Sequence, residues 1–479
     1  MAFTSPFFFA CLLPFVVLFH LVPARWQPLV LVLTSATFYV ALNPWWALLL
    51  AALTGITFVA ARRMALSESR RATLFAAAVT ALIAVLAFFK YAPQIAHSIS
   101  GARATLLDRV LLPLGISYYT FKLVSYLVDV YWRKLEPEQD LLAFAAYASF
   151  LPQLPFGPIQ RSGDFLSQLR VPSASMASGF RLILFGLFQK LVIADRAAQW
   201  VDPIFSEDGA TLEPVAAVLA IYAYAIQLYA DFAGLSDIAI GLGRLFGIES
   251  PANFRSPYFA QSLPEFWRRW HISMTSWLTD YVFVPLRMAT RNWGSLGLAL
   301  SLMANMVLIG LWHAASASML LFGAAHGAMI VVSAFTKKPR DAWFKTRPRL
   351  RAARAVWAPV LTFHAVALSF VIFRAPTLST AYRVFAQAAV GVKNILTHVP
   401  TNWTRVLFVD PKFVHDYRED MFLVAFGLIV VAIAHGRPVV ARWILARPGW
   451  VRWSWYYVTV LALLALAKNG PTGFIYTRF

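Results

Sequence analysis

The sequence predicts an all-α, polytopic membrane protein with about eleven or twelve transmembrane helices, some reentrant or interfacial. Three observations carry this reading. The 479 residues are 59% hydrophobic and only 13% charged, with 39 phenylalanines and 17 tryptophans. Long runs hold no Asp, Glu, Lys or Arg at all: 28–61, 72–89, 141–160, 214–230, 292–336 and 355–373. Basic residues gather in short stretches between such runs, the bias that marks cytoplasmic loops.

A helix needs about 20 apolar residues to cross the hydrocarbon, so each run can be assigned in turn. Pro6 to Ala24 has no basic leader and no small-residue cleavage site, and reads as a retained span. Cys11 lies within it; one cysteine excludes an intramolecular disulfide framework and a cysteine metal cluster, and its apolar setting reads as packing. The run 28–61 fits two short spans broken near Asn43-Pro44, and 292–336 fits two more. Weaker spans fall at 110–130, 180–200, 421–435 and 453–467, with a surface helix around 380–394 inside an extramembrane loop. No internal repeat or linker divides the chain, so one membrane domain, 1–479, is expected.

The formal charge of +20 does not point to nucleic acid, because of where the cations sit. Arg62, Arg63, Arg70 and Arg71 bracket one loop, and Lys337 to Arg354 fill another, opposed only by Asp341. A third group is Arg437, Arg442, Arg447 and Arg452. These predict 62–71 and 337–354 on the cytoplasmic face, Asn43 to Trp46 outside, and attraction to the lipid bilayer's anionic headgroups.

Two stretches differ in character. Between 150 and 170, FLPQLPFGPIQRSGDFLSQLR carries Pro152, Pro155 and Pro158, which lack an N–H and clash with the preceding helical turn. Non-helical backbone at membrane depth survives only where protein or a wet cavity satisfies it. Between 230 and 290, Asp231, Asp237, Arg255, Glu265, Arg268, Arg269, His271 and Asp280 crowd into an otherwise greasy region. Burying such charges near lipid costs on the order of 3 kcal/mol each on insertion scales. Snorkelling arginines on an interfacial helix pair would explain the cations, but not the histidine and carboxylates.

Of nine histidines, His20 and His364 sit alone in apolar runs and read as packing, while His97, His398, His415 and His435 fall in loops. His313 closes MVLIGLWH, and His326 follows in FGAAHGA. A neutral imidazole in the membrane can accept a proton at neutral pH. The pair lacks the i, i+4 spacing of a metal site, and no HExxH, GxSxG or GxxxxGK[ST] motif occurs. General-base work on an acceptor hydroxyl is the simple chemistry left.

The run PEFWRRWHISMTSWLTDYVFVPL, with the histidine of GLWH 42 residues after His271, resembles the membrane-bound O-acyltransferase (MBOAT) family. The likeness is to its bacterial branch, which serves alginate O-acetylation and D-alanyl transfer to teichoic acid. LPLGISYYTFKLVSYLVDVYW, FLPQLPFGPIQR, YAIQLYADFAGLSDIAIGLGRLFGI, NFRSPYFAQSL and the terminal FIYTRF extend it over most of the chain, with core motifs at about 110–335. The resemblance implies helices around a central tunnel and an enzyme, an O-acyltransferase. His313 then matches the family's general base and His271 its partner position. Trp312 or Ser273 could supply an oxyanion donor, and Arg268, Arg269, Asp280 and His326 are supporting candidates on the tunnel wall. No metal or bound cofactor is implied. The co-substrate is an acyl thioester, acetyl-coenzyme A or an acyl carrier protein, on the cytoplasmic side of the cell inner membrane. The acceptor is an extracytoplasmic polysaccharide, reached directly or through a periplasmic SGNH-type acyltransferase. Two departures stand out: R-M-A-T-R-N follows VPL where a glycine pair is usual, and Ala314 replaces a common glycine after GLWH. D-alanyl, peptidoglycan or lipid acylation is the alternative within the family. A transporter is the alternative outside it, disfavoured because no pair of symmetric interrupted halves is present.

Overall fold

A computed structural model describes residues 4–100, 111–171, 175–206, 213–407 and 446–466, with parts of 420–429. Among the described residues every regular element is helical. Seven helices are long and apolar enough to cross a membrane, and Pro6–Leu21 and Leu141–Gln153 are shorter apolar helices. The expected span at 421–435, the basic positions Arg437 and Arg442, the terminal FIYTRF and the side chains of His97, His398, His415 and His435 lie outside the described residues.

The chain divides into two compact units, Met1–Phe185 with Leu235–Ala252, and Gly186–Gly234 with Asn253–Phe479. The first holds α1 (Pro6–Leu21), α2 (Gln27–Leu42), α3 (Pro44–Leu66), α4 (Arg71–Ser100), α5 (Ile116–Tyr131), α6 (Leu141–Ser149) and α7 (Ser162–Arg170). The break expected near Asn43-Pro44 is there. Asn43 leaves helical geometry, its side chain accepts from Trp45 N at 3.0 Å, and Pro44 opens α3 where its missing N–H is harmless. Helix α4 continues past Lys90, where the uncharged run stops, to Ser100. A charge ends an apolar run without ending a helix.

The proline-rich stretch behaves as its sequence demands. Helix α6 stops at Ser149, a single 3₁₀ turn covers Leu151–Gln153, and the backbone stays irregular to the start of α7. Residues 151–160 are nonetheless buried. Side chains serve this irregular segment. Lys122 Nζ on α5 donates to Gln153 Oε1 at 2.8 Å, and Gln153 Nε2 donates to Gln160 Oε1 (2.5 Å) and Ser250 Oγ (2.8 Å). Gln160 Nε2 donates onward to the Glu249 carbonyl at 3.1 Å. The Lys122 ammonium also lies 4.5 Å from the Tyr147 ring, a cation–π contact.

The chain passes between units inside α8 (Met176–Phe188) and α10 (Pro214–Leu245). In the second unit a π-helical turn, Gln189–Ala194, precedes α9 (Asp195–Val201), and Lys190 on it bridges Asp195 (2.7 Å) and Asp231 (2.6 Å). Then come α11 (Leu263–Arg269), α12 (Ile272–Leu278), α13 (Val284–Ala289), α14 (Gly294–His313), α15 (Ala317–Lys345), α16 (Pro348–Arg374) and α17 (Leu378–Leu407). Helices α14 and α15 are the two spans expected in 292–336, and they approach through glycine. A Cβ on Gly323 would stand 2.6 Å from the Met306 carbonyl oxygen, and one on Gly310 would collide with that of Met319. Small residues permit such close helix contact in lipid. The stretch 337–354, expected as a loop, is instead mostly helical, because α15 runs to Lys345 and α16 starts at Pro348. Its cations lie along aromatic faces: Arg347 is 4.3 Å from the Trp343 ring and Arg354 4.7 Å from Phe344. Long basic side chains keep their heads wet while their stems cover apolar surface, so a helix end accommodates them. The helix expected around 380–394 falls in the first half of the longer α17.

Candidate active site

The site lies wholly in the second unit and begins with a bend. Helix α11 opens on a cap: the Ser262 hydroxyl accepts from Glu265 N, and Pro264 occupies the first turn. It ends at Arg269, Trp270 is extended, and His271 takes up the left-handed region at φ 44°, ψ 53° before α12 begins. A non-glycine residue there is strained by about 1–3 kcal/mol and persists only where its surroundings hold it.

The holding residue is Asn253. Its carbonyl oxygen accepts from Ile272 N at 2.9 Å, and its side-chain Oδ1 accepts from Ser273 Oγ at 2.6 Å and Ser273 N at 3.3 Å. Arg255 N donates to the Arg269 carbonyl at 3.0 Å, pinning the other side of the bend. Asn253 is 1% exposed. The stretch NFRSPYF thus braces the elbow that presents His271. Nothing in the periodicity of the sequence marks that role, since Asn253 stands 20 residues before the Ser273 it holds.

The second histidine comes from a helix terminus. Met306, Ile309, Gly310 and His313 form the buried face of α14, and His313 is its last residue. His271 and His313 line one enclosed cavity of about 10 Å³, the room of about one water. Its other walls are apolar or aromatic, among them Trp267, Trp270, Met274 and Phe373. The His271 ring meets Phe232 edge-on at 4.6 Å, and the His313 ring meets Phe373 edge-on at 4.8 Å. Trp312 bridges the pair, 6.0 Å from the His271 ring and 4.6 Å from that of His313.

His271 is 1% exposed, and neither of its ring nitrogens has a hydrogen-bond partner among the described residues. Burial pushes its pKa down to about 3, so the ring is neutral at physiological pH. Leaving a buried polar group unpaired costs about 1–3 kcal/mol. Strain and unpaired nitrogens thus coincide at one residue, which makes His271 the leading candidate position in the cavity.

The remaining candidates sort by place. Ser273 is buried, its hydroxyl donating to Asn253. His326 stands behind the cavity wall, bonded to Trp267. Arg268 is exposed, Arg269 pairs with Glu265 at 2.5 Å, and Asp280 is exposed in the π-helical turn after α12. The structure does not bring these three to the cavity lining. Phe266 and Trp267 take the buried side of this short helix, and the two arginines that follow them directly are carried round to its more open side. The packing histidines bond to carbonyls: His20 Nε2 donates to Leu245 O at 2.8 Å, and His364 Nδ1 to Val360 O at 2.7 Å.

Comparison with known proteins fits this geometry. The model of the membrane-bound O-acyltransferase family, MBOAT, matches residues 133–372. A probable alginate O-acetylase of Azotobacter vinelandii is 35% identical over 410 residues, covering 81% of this chain and 77% of that protein. A peptidoglycan O-acetyltransferase of Helicobacter pylori is 31% identical over 65% of this chain and 64% of its own. A teichoic acid D-alanyltransferase of Bacillus subtilis is 28% identical over 54% of this chain and 68% of its own.

Proposed function

This chain belongs to the membrane-bound O-acyltransferase family, and from that premise we propose that it moves an acetyl group from a cytoplasmic thioester to hydroxyls of an extracytoplasmic polysaccharide. Enzymes of this family use acyl thioester donors, and the chain is a multi-pass membrane protein. The inner membrane is the proposed location, since the donor is made in the cytoplasm and the acceptor stands outside.

The observation that carries the reading is the pairing of His271 and His313 on one closed, aromatic-walled cavity. In the proposed step the acceptor oxygen attacks the thioester carbonyl while the His313 imidazole takes its proton. The carbon–sulfur bond then breaks, the acyl group stays on oxygen, and the thiolate leaves to recover a proton. His271, neutral and unpaired, can offer a ring N–H to the developing oxyanion, with the Trp312 indole close by. The aromatic and apolar walls around the two imidazoles would limit the water that competes for the thioester. Acetyl is favoured over D-alanyl by the greater coverage and identity of the alginate O-acetylase. The arginine-rich ends of α15 and α16 would draw in the phosphates of coenzyme A or an acidic carrier protein. Transfer through a periplasmic SGNH-type acyltransferase would satisfy the same chemistry at His313.

The test is purified, reconstituted protein with radiolabelled acetyl-coenzyme A and polysaccharide. Label transfer is expected, falling about 100- to 10,000-fold in His313→Ala at unchanged protein level. Label taken only from an acylated carrier protein would replace the donor and keep the site. Transfer by His313→Ala at the unsubstituted rate would overturn the site, and failure with every thioester would overturn the proposed reaction.

A further inference from the structure

His326 is fully buried on α15, one layer behind the cavity, and its hydrogen bonds fix its protonation without appeal to any titration. The Trp267 indole N–H can only donate, and it donates to His326 Nδ1 at 3.2 Å. Nδ1 is therefore the bare nitrogen, and the ring proton sits on Nε2, which donates to Ser369 Oγ at 2.8 Å. The Ser369 hydroxyl in turn donates to the Val366 carbonyl at 2.6 Å. Every donor in this relay has one acceptor, and all the protons run the same way, from α11 through α15 to α16.

We propose that His326 is a positioning residue that clamps Trp267, and so the wall of the His271–His313 cavity, rather than a proton acceptor in the reaction. The inference rests on the proposed active site. To take up a proton, Nδ1 would have to give up the Trp267 N–H and then set two N–H groups against each other. The relay ties together three helices at the layer where Trp267 and Phe370 line the cavity. Phe322, one turn before His326 on α15, lies 4.5 Å from its ring and lines the same cavity. Trp267 also begins the segment that reaches the strained His271 four residues later, so its register sets where that imidazole stands.

The experiment compares His326→Ala, His326→Gln and Trp267→Phe in reconstituted full-length protein, with His313→Ala as reference. Glutamine carries an acceptor and a donor on one amide and can serve both Trp267 and Ser369. His326→Ala should lower kcat by about 100-fold, the effect of a misplacement of roughly 1 Å. His326→Gln should recover to within about tenfold of the unsubstituted enzyme, as expected for weakened hydrogen bonds, with the pH profile of kcat/KM superimposable. Trp267→Phe removes the indole N–H together with part of the ring; the hydrogen-bond share of its effect is already lost in His326→Ala, so the double variant should fall short of the sum of the two. A His326→Gln protein of normal thermal stability but as inactive as His313→Ala, or with a displaced pH profile, would make His326 a proton-transfer group and overturn the proposal. Additivity of the two clamp substitutions, or full activity in His326→Ala, would overturn it as well. Activity in His313→Ala would instead overturn the site reading beneath it, which keeps the two failures distinct.

Discussion

The proline-rich stretch 151–161 and the elbow 253–273 pose the same problem and answer it differently. Both break helical geometry next to a buried polar group, and both carry a basic side chain below 2% exposure, Lys122 beside the first and His271 within the second. In the first, Lys122, Gln153, Gln160, Ser250 and the Glu249 carbonyl hand each hydrogen bond to the next. In the second, the backbone is fully braced by Asn253, yet the imidazole it presents keeps both nitrogens unpaired among the described residues. A polar network that satisfies its members adds to stability; one that braces a strained residue and leaves its side chain unsatisfied fits the ligand-facing role proposed for His271. His326 repeats the contrast inside the second unit, as a bonded histidine behind an unbonded one.

The sharpest way to break this comparison is to substitute both regions and read activity and stability separately. His271→Ala should remove the proposed oxyanion donor and lower turnover about 100- to 1,000-fold, with folded yield by size-exclusion chromatography close to normal. Removing an unpaired polar group relieves rather than adds desolvation cost. A collapse in yield with residual specific activity would place His271 among structural residues. Gln153→Leu should do the reverse, because it strands the Lys122 ammonium and the Gln160 amide. A loss of about 1–3 kcal/mol in stability is expected, seen as a lower melting temperature in detergent, with specific activity of the surviving protein near normal. If that activity fell as far as in His271→Ala, the two regions would not differ in kind.

A smaller effect sharpens the same contrast. The folded pKa of His271 is about 3 against about 6.5 in a free chain, so the unfolded state binds the extra proton first. Its contribution to stability is whole above about pH 6.5 and declines as pH falls toward 3. The drop in melting temperature between pH 7 and pH 5 should therefore be shallower in His271→Gln than in the unsubstituted protein. Equal slopes would mean that this imidazole is not held neutral by burial.

How much of this was legible beforehand depends on the range of the physics involved. Hydrophobic runs, prolines and the basic bias act locally, so the helices, the break at Asn43-Pro44 and the irregular stretch after Ser149 could be read directly. Charge is a poor guide to where an element ends: α4 runs past Lys90, and the basic stretch 337–354, expected as a loop, is helical on either side of Thr346-Arg347. His271 and His313 were singled out from residue type, setting and the family motifs, as were Arg268, Arg269 and Asp280. Placement then separated them, because the short helix that buries Phe266 and Trp267 leaves Arg268 exposed and Arg269 paired with Glu265.

What the sequence determined by itself is the all-helical membrane class and the family, because composition, run length and motif spacing are properties of neighbouring residues. The geometry of the proposed site is decided only in three dimensions. His271 and His313 are 42 residues apart and meet because Asn253 pins one to a strained elbow, while glycine contacts between α14 and α15 settle where the other helix ends. The tautomer of His326 is fixed by Trp267 and Ser369, 59 and 43 residues away. Hydrogen bonds and close packing act over a few ångströms of space whatever the distance along the chain, and that is why only the folded structure could assign them.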